Sequence, residues 1–267
     1  MPNIHLPLSP DGAIITLTMR IVMIGPFGIR PRGTMAVRAL PMAKALTARS
    51  HRVTMLLPPW QTPEMGGKRW HEGGVAIENI HLPPGVPGLF HLLTAARLVR
   101  RALALKPDVI HCFKPKAYSG LAHWLLNHLP GGRGPRLVVD SDDWEGPGGW
   151  NAIGDYAPLQ RRFFTWQERW GLTHADGVIV ASRTLESLVW AMGVAPERVW
   201  YVPNGFGFRP LDAALPAPAV RETNRDGKPP TMLLYTRFFE FPVSRVVDVL
   251  LRVRERVPQA RLLVVGK

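Results

Sequence analysis

Short runs of apolar residues alternate along this chain with longer stretches in which apolar positions recur every three or four residues. RIVMIG (20–25), RVTMLL (52–57), VAIENI (75–80), DVIHCF (108–113), RLVVD (136–140), GVIVAS (177–182) and RVWYVP (198–203) predict strands. The stretches 34–49, 88–105, 117–129, 157–174 and 183–192 predict helices, and a Gly/Pro-containing loop joins the second strand to the third. Most of the strands lack polar alternation, so both faces of their sheet should be covered. With helices between them, the expected fold class is α/β, built on a doubly wound parallel sheet. Pro41 falls inside the first helical stretch. It removes a backbone donor there and should kink or break the helix.

The rhythm stops after Phe208. Residues 209–230 are rich in Pro, Ala and charge, which predicts a linker. It restarts with a strand at 231–236, a helix at 243–256 and a strand at 261–267. One strand–helix–strand unit buries too little surface to stand alone, so 231–267 is expected to be the truncated start of a second domain. Residues 1–18 lack the order of a signal peptide and are expected to be a disordered extension or a misassigned start, with the first domain at 19–208.

Composition narrows the function classes. Of 267 residues, 46% are hydrophobic, as in a globular chain, and no run of about 18 apolar residues predicts a membrane span. Cys112 is the only cysteine, which excludes an intrachain disulfide or a thiolate metal cage and fits a cytoplasmic protein. The net charge is +13, but residues 1–50 carry +5 and 251–267 carry +4, while 101–250 carry +2. No Lys/Arg block is interleaved with aromatic residues, so no nucleic-acid partner is expected. Exposed arginines suit weak peripheral contact with an acidic membrane, here at its inner face.

Candidate chemistry gathers where strands end, since ligands of open α/β sheets bind at the carboxyl edge. GPFGIRPRGT (25–34) links the first strand to the first helix, with Gly28 and Gly33 allowing close approach and Thr34 placed to cap the helix. Its spacing is not that of a dinucleotide loop, so no nicotinamide cofactor is implied. His111, Lys114 and Lys116 stand at the end of the 108–113 strand; Lys114 is placed to meet an anion, and His111 on its own reads first as a hydrogen-bonded core histidine, with a site role as the alternative. Asp140, Asp142, Asp143 and Glu145 crowd the next strand end and need hydroxyls, cations or an arginine around them. Trp144 suits stacking on a sugar, or burial under a loop. Phe163, Trp166 and Trp170 share one helical face, for which core packing is expected and membrane docking is the alternative. Ser182 should cap the next helix, Gly193 should end it, and Asn204-Gly205 closes a strand with a turn.

Taken in order, these pieces resemble the GT-B glycosyltransferases of family 4. The family's S-x-x-L…G…P-x-x-V run ending in P-N-G stands here as Ser182, Leu185, Gly193, Pro196, Val199, Val202, Pro203, Asn204 and Gly205. Its P-D-V-I-H strand is Pro107 to His111, and its G-R pair after the second domain's first strand is Thr236-Arg237. The chain departs from the pattern at Phe113, where a second histidine is usual, and at Asp142-Asp143, in place of His-Asp. It departs again near Phe241-Pro242, where the family has a lysine, a role Arg245 would take over.

The resemblance implies a Rossmann-like GT-B N-terminal domain for acceptor binding and the first β-α-β unit of a donor domain. It implies a retaining transferase of hexosyltransferase type. The sugar would pass from a nucleotide-diphosphate sugar to a glycan or lipid-linked acceptor, as in cell-envelope polysaccharide assembly, without metal or cofactor. Gly28, Gly33, Thr34, His111, Lys114, Asp142, Asp143, Trp144 and Asn204 would contact substrates, and Arg237 and Arg245 would hold the donor diphosphate. No catalytic residue is assigned. The family's E-x7-E region would follow Lys267, so this chain alone is expected to be inactive. The alternatives are a non-catalytic, degenerate glycosyltransferase-like binding domain, or an epimerase on a related two-domain fold.

Overall fold

A computed structural model describes residues 18–30, 33–85, 89–129, 134–205, 229–236 and 241–266. The chain divides into two compact units, Met1–Gly207 and Phe208–Lys267. Of the 1–18 extension only Thr18, and of the 209–230 linker only its last two residues, lie among the described residues.

The first unit is built on β1 (Arg20–Ile24), β2 (Arg52–Leu57), β3 (Arg69–Glu72), β4 (Val75–Asn79), β5 (Val109–Phe113), β6 (Arg136–Ser141), β7 (Gly177–Val180) and β8 (Val199–Tyr201). They form one sheet in the order β3-β4-β2-β1-β5-β6-β7-β8. Every pairing is parallel except β3 with β4. The helices are α1 (Leu40–Thr47), α2 (Leu89–Ala104), α3 (Ala117–Asn127), α4 (Trp150–Ile153), α5 (Pro158–Thr173) and α6 (Arg183–Ala191). RWHE carries no apolar run, so the sequence predicts loop where the β3 edge strand forms. It forms by turning back at Gly73-Gly74, whose φ values of +57° and +81° suit glycine.

Burial on both faces follows from the apolar strands. Ile21 and Met23 of β1 enter one core with Met35, Leu40 and Met55. Val22 and Ile24 enter the other with Leu98, Ala122, Leu172 and Leu185. Pro41 does not break the helix: the backbone stays helical from Thr34 to Thr47, as a π-helical stretch at Met35–Ala39 that passes directly into α1, where Pro41 sits in the first turn. Ser182 caps α6 by accepting the Leu185 N–H at 3.1 Å, and Gly193 follows the helix at φ +91°.

The second unit comprises β9 (Thr231–Tyr235), α7 (Val243–Arg256) and β10 (Arg261–Val265), with β9 and β10 parallel. Among its described residues only Ala260 is buried. Among the described residues of the chain, no helix is long and apolar enough to cross a membrane.

Candidate functional site

In the first unit the sheet order reverses at β1: α1, which leads to β2, packs on one face, while α2 and α3, on either side of β5 in the chain, pack on the other. A crevice opens at the carboxyl end of such a switch point. The loop after β1 needs glycine at its start: a Cβ on Gly25 would stand 2.7 Å from Met35 Sδ and 2.9 Å from Leu57 Cδ2. Gly28 is different, since a Cβ there would meet nothing nearer than 3.5 Å. Thr34 does not cap the following helix. Its backbone is already helical, and its hydroxyl instead donates to Asp142 Oδ2 at 2.8 Å.

Arg38 holds the strand ends together. Its Nε and Nη2 donate to the two oxygens of Asp140 at 2.7 and 3.0 Å, and its Nη1 donates to Val202 O and Asn204 Oδ1 at 3.0 and 2.8 Å. Both Arg38 and Asp140 are buried, and the fork geometry satisfies both carboxylate oxygens. Arg38 escaped the sequence reading. A signal existed: it falls three residues after Met35 and beside Ala39, on the face that packs inward. Asn204 therefore acts through its side chain, as an acceptor for Arg38. His111 is buried, and its ring packs on Phe113 at 4.3 Å between centroids. Its Nε2 lies 3.6 Å from Asp140 Oδ2, beyond hydrogen-bond range, so the core reading of this histidine fits its position.

Lys114 does not stand free to meet an anion. Its Nζ lies 2.8 Å from Asp143 Oδ2 and 3.2 Å from both Asp142 Oδ1 and Glu145 Oε1. Burial on its own would lower the pKa of Lys114. The charges of Asp142, Glu145 and Asp143 outweigh it and hold the ammonium above the ordinary lysine range. Burial raises the Asp142 carboxyl, against the pull of Lys114 and the Thr34 hydroxyl. The backbone of Lys114 sits at φ +53° and that of Ala117 at φ +52°. Each such non-glycine position costs on the order of 1–3 kcal/mol and is held by its surroundings. Here the Gln167 amide clamps Ala117, accepting its N–H at 2.9 Å and donating to its carbonyl at 3.1 Å. Lys116 donates to Glu145 Oε2 at 2.6 Å and lies over the Tyr156 and Phe164 rings. Trp144 packs against the larger core and donates its ring N–H to Pro147 O at 2.8 Å, which matches burial under a loop.

Beneath this cluster lies Glu168 of α5, which the sequence reading passed over. It falls four residues from both Phe164 and Leu172, on the buried face. Its Oε1 accepts the Glu145 N–H at 3.0 Å. Burial raises its carboxyl to about 8, and the Glu145 charge adds to this. An unfolded glutamate ionises near pH 4.5, whereas this one keeps its proton to about 8, so stability falls as pH rises across that window. Glu168→Gln keeps the acceptor and cannot ionise. The variant is expected to gain about 1–3 kcal/mol over wild type at pH 8 and nothing near pH 4. Urea unfolding at both pH values measures this, and a pH-independent difference would show that Glu168 is not held protonated.

Above the cluster a cavity of about 860 Å³ opens among the loops after β1 and β2, α2, α3 and α5. Gly33, Thr34, Lys114, Lys116 and Glu145 line it, together with Phe27, Trp60, Leu92, Leu121 and Phe163. The aromatic face of α5 divides: Trp170 is half-buried and packs on the buried His123, whereas the other two residues are not core. Phe163 and Trp166 are 38% and 42% exposed, while Phe164, Gln167, Glu168 and Leu172 turn inward. Arg237 lies outside the described residues. In the second unit Arg245 is exposed in the first turn of α7.

Residues 33–205 match the family model of the glycosyl transferase 4-like domain. No curated protein matches the chain in sequence. Among solved structures, a putative UDP-N-acetylglucosamine 2-epimerase from Listeria monocytogenes aligns with a TM-score of 0.52 at 12% identity, covering 93% of this chain and 62% of that one. A UDP-GlcNAc 2-epimerase from Neisseria meningitidis, bound to UDP-GlcNAc, gives 0.51 at 9% identity, covering 93% and 66%. A glycosyltransferase from Rickettsia africae gives 0.50 at 11% identity, covering 94% and 68%. At these identities the likeness is one of fold. The chain spans about 62% of the length of the Listeria protein.

Proposed function

The chain belongs to the glycosyl transferase 4-like domain family, and from that premise we propose that its first unit is the acceptor half of a retaining glycosyltransferase. The donor in this reading is a nucleotide-diphosphate sugar. The acceptor is a glycan or a lipid-linked sugar, handled at the cytoplasmic face of a membrane. The observation that carries the proposal is the Lys114–Asp142–Asp143–Glu145 cluster, set at the switch-point crevice beside an open cavity. The Neisseria epimerase, of similar fold, is bound to a nucleotide-sugar, and this supports the donor class.

Each group has a role in this reading. Asp143, whose side chain is 42% exposed, orients an acceptor hydroxyl. Lys114 ties the neighbouring acids in place, so that little reorganisation is needed when charge develops. The loop amides at Gly28, Gly33 and Thr34 serve the reacting groups, and Arg237 and Arg245 of residues 231–267 are the candidates for holding the donor diphosphate. His111, Trp144 and Asn204 support the site from behind.

The test is incubation of the full-length gene product with a panel of radiolabelled nucleotide sugars and with glycan and lipid acceptor fractions, with the anomeric configuration of the product read by NMR. Transfer with retention is expected. Epimerised donor would instead assign an epimerase, and neither transfer nor donor hydrolysis would leave a binding domain.

A further inference from the structure

We propose that the cavity above the Lys114 cluster seats the apolar chain of a lipid-linked acceptor, which enters from a bilayer against which the cavity mouth rests. This inference rests on the acceptor role proposed for the first unit and narrows its substrate class.

The volume, about 860 Å³, is that of a site for a sizeable small-molecule group. Phe27, Trp60, Leu92, Leu121, Tyr156 and Phe163 supply aromatic and aliphatic walls. A glycan seated against those walls would lose water from many hydroxyls, with Gln61, His91, Tyr118, Tyr156 and Gln160 as the partners outside the ion cluster, and each unpaired hydroxyl carries a cost. A hydrocarbon chain needs none. Thr34, Lys114, Lys116 and Glu145, by contrast, belong to one connected ion cluster. The lining thus has a polar end suited to a hydroxylated head and an apolar body suited to a tail.

The mouth carries the second observation. Trp60, Leu92 and Phe163 are 44%, 46% and 38% exposed although they line the cavity. Each helical pair continues outward along its own face. Leu89 and Leu93 flank Leu92 on α2, and Leu159 precedes Phe163 by one turn on α5, all of them exposed. Exposed apolar residues collected at the rim of a pocket mark a surface that meets another apolar phase. Arg100 of α2 and Arg161 and Arg162 of α5 are exposed on the same two helices, where they can meet anionic headgroups. The exposed aromatic residues of α5 find a use in this arrangement.

The test compares dodecyl glucoside, below its micelle concentration, with glucose. Wild type is expected to bind dodecyl glucoside at least tenfold more tightly than glucose. Leu121→Trp fills the cavity and should abolish that preference while the protein stays folded. Phe163→Glu, at a half-exposed site, should do the same if the first variant is unstable. Leu89→Glu/Leu159→Glu should keep dodecyl glucoside binding but reduce co-sedimentation with 3:1 phosphatidylcholine–phosphatidylglycerol vesicles at least fivefold. Equal affinity for the two sugars, or an alkyl preference that survives both cavity variants, would overturn the proposal. Transfer to a soluble glycan persisting in Leu121→Trp would overturn it while leaving the transferase reading intact. A chain preference without any transfer or donor hydrolysis would separate the two the other way.

Discussion

Arg38→Met is expected to destabilise the first unit by about 3–5 kcal/mol, the largest loss from any single change in the site. The side chain is matched in volume, so the cost is electrostatic. Asp140 is fully buried and loses both of its charge-assisted hydrogen bonds at once. Its remaining close polar neighbour is His111 Nε2 at 3.6 Å, too far to replace the guanidinium. The tie from the first helical stretch to Val202 O and Asn204 Oδ1 disappears with it. Urea unfolding should show a lower midpoint with an unchanged slope. The double variant Arg38→Met/Asp140→Asn removes both charges and should recover a substantial part of the loss. If the double variant is as unstable as the sum of the two singles, the pair is not the unit of stability that its geometry indicates.

Lys114→Met is expected to cost about 2–4 kcal/mol at pH 7 and, on the transferase reading, to lower transfer about 100-fold. Asp142, Asp143 and Glu145 would then face one another without their shared cation. Asp142 already has its pKa raised by burial, and Lys114 is the main influence holding it down. Removing the lysine lifts that folded-state pKa further above the unfolded value of 3.8. The penalty is therefore small near pH 4 and grows as pH rises, the sign required when the folded state holds the proton more tightly. Lys114→Gly separates charge from backbone. Glycine accepts the φ of +53°, so it should be less destabilising than methionine by roughly 1 kcal/mol while losing the same transfer activity. Thermal melts from pH 4 to 8 with parallel transfer assays measure both parts. A pH-independent penalty would show that the lysine does not govern these carboxylates.

The site was legible where chemistry follows strand ends. Lys114, Asp142 and Asp143 stand out because charged residues after a buried run fall at the carboxyl edge of a parallel sheet. What those residues touch was not legible. Thr34 looked like a helix cap, and tertiary packing gave its hydroxyl to Asp142 instead, 108 positions away. Phe163 and Trp166 looked like core because their spacing is helical. A helix with apolar residues on two faces does not announce which face turns inward, and here Phe164 and Leu172 took that place. The edge strand β3 was missed for a related reason. An exposed strand needs a partner's backbone more than an apolar pattern.

Local patterning alone determined the positions of most strands and helices, hence the α/β class, and the cap at Ser182, because each depends on residues within one or two turns of chain. The strand order, the Arg38–Asp140 fork, the burial of Glu168 and the apolar cavity came only with tertiary structure. They depend on which distant segments meet, and the energy of a buried charge or an open pocket is set by those neighbours and not by the residue's own type.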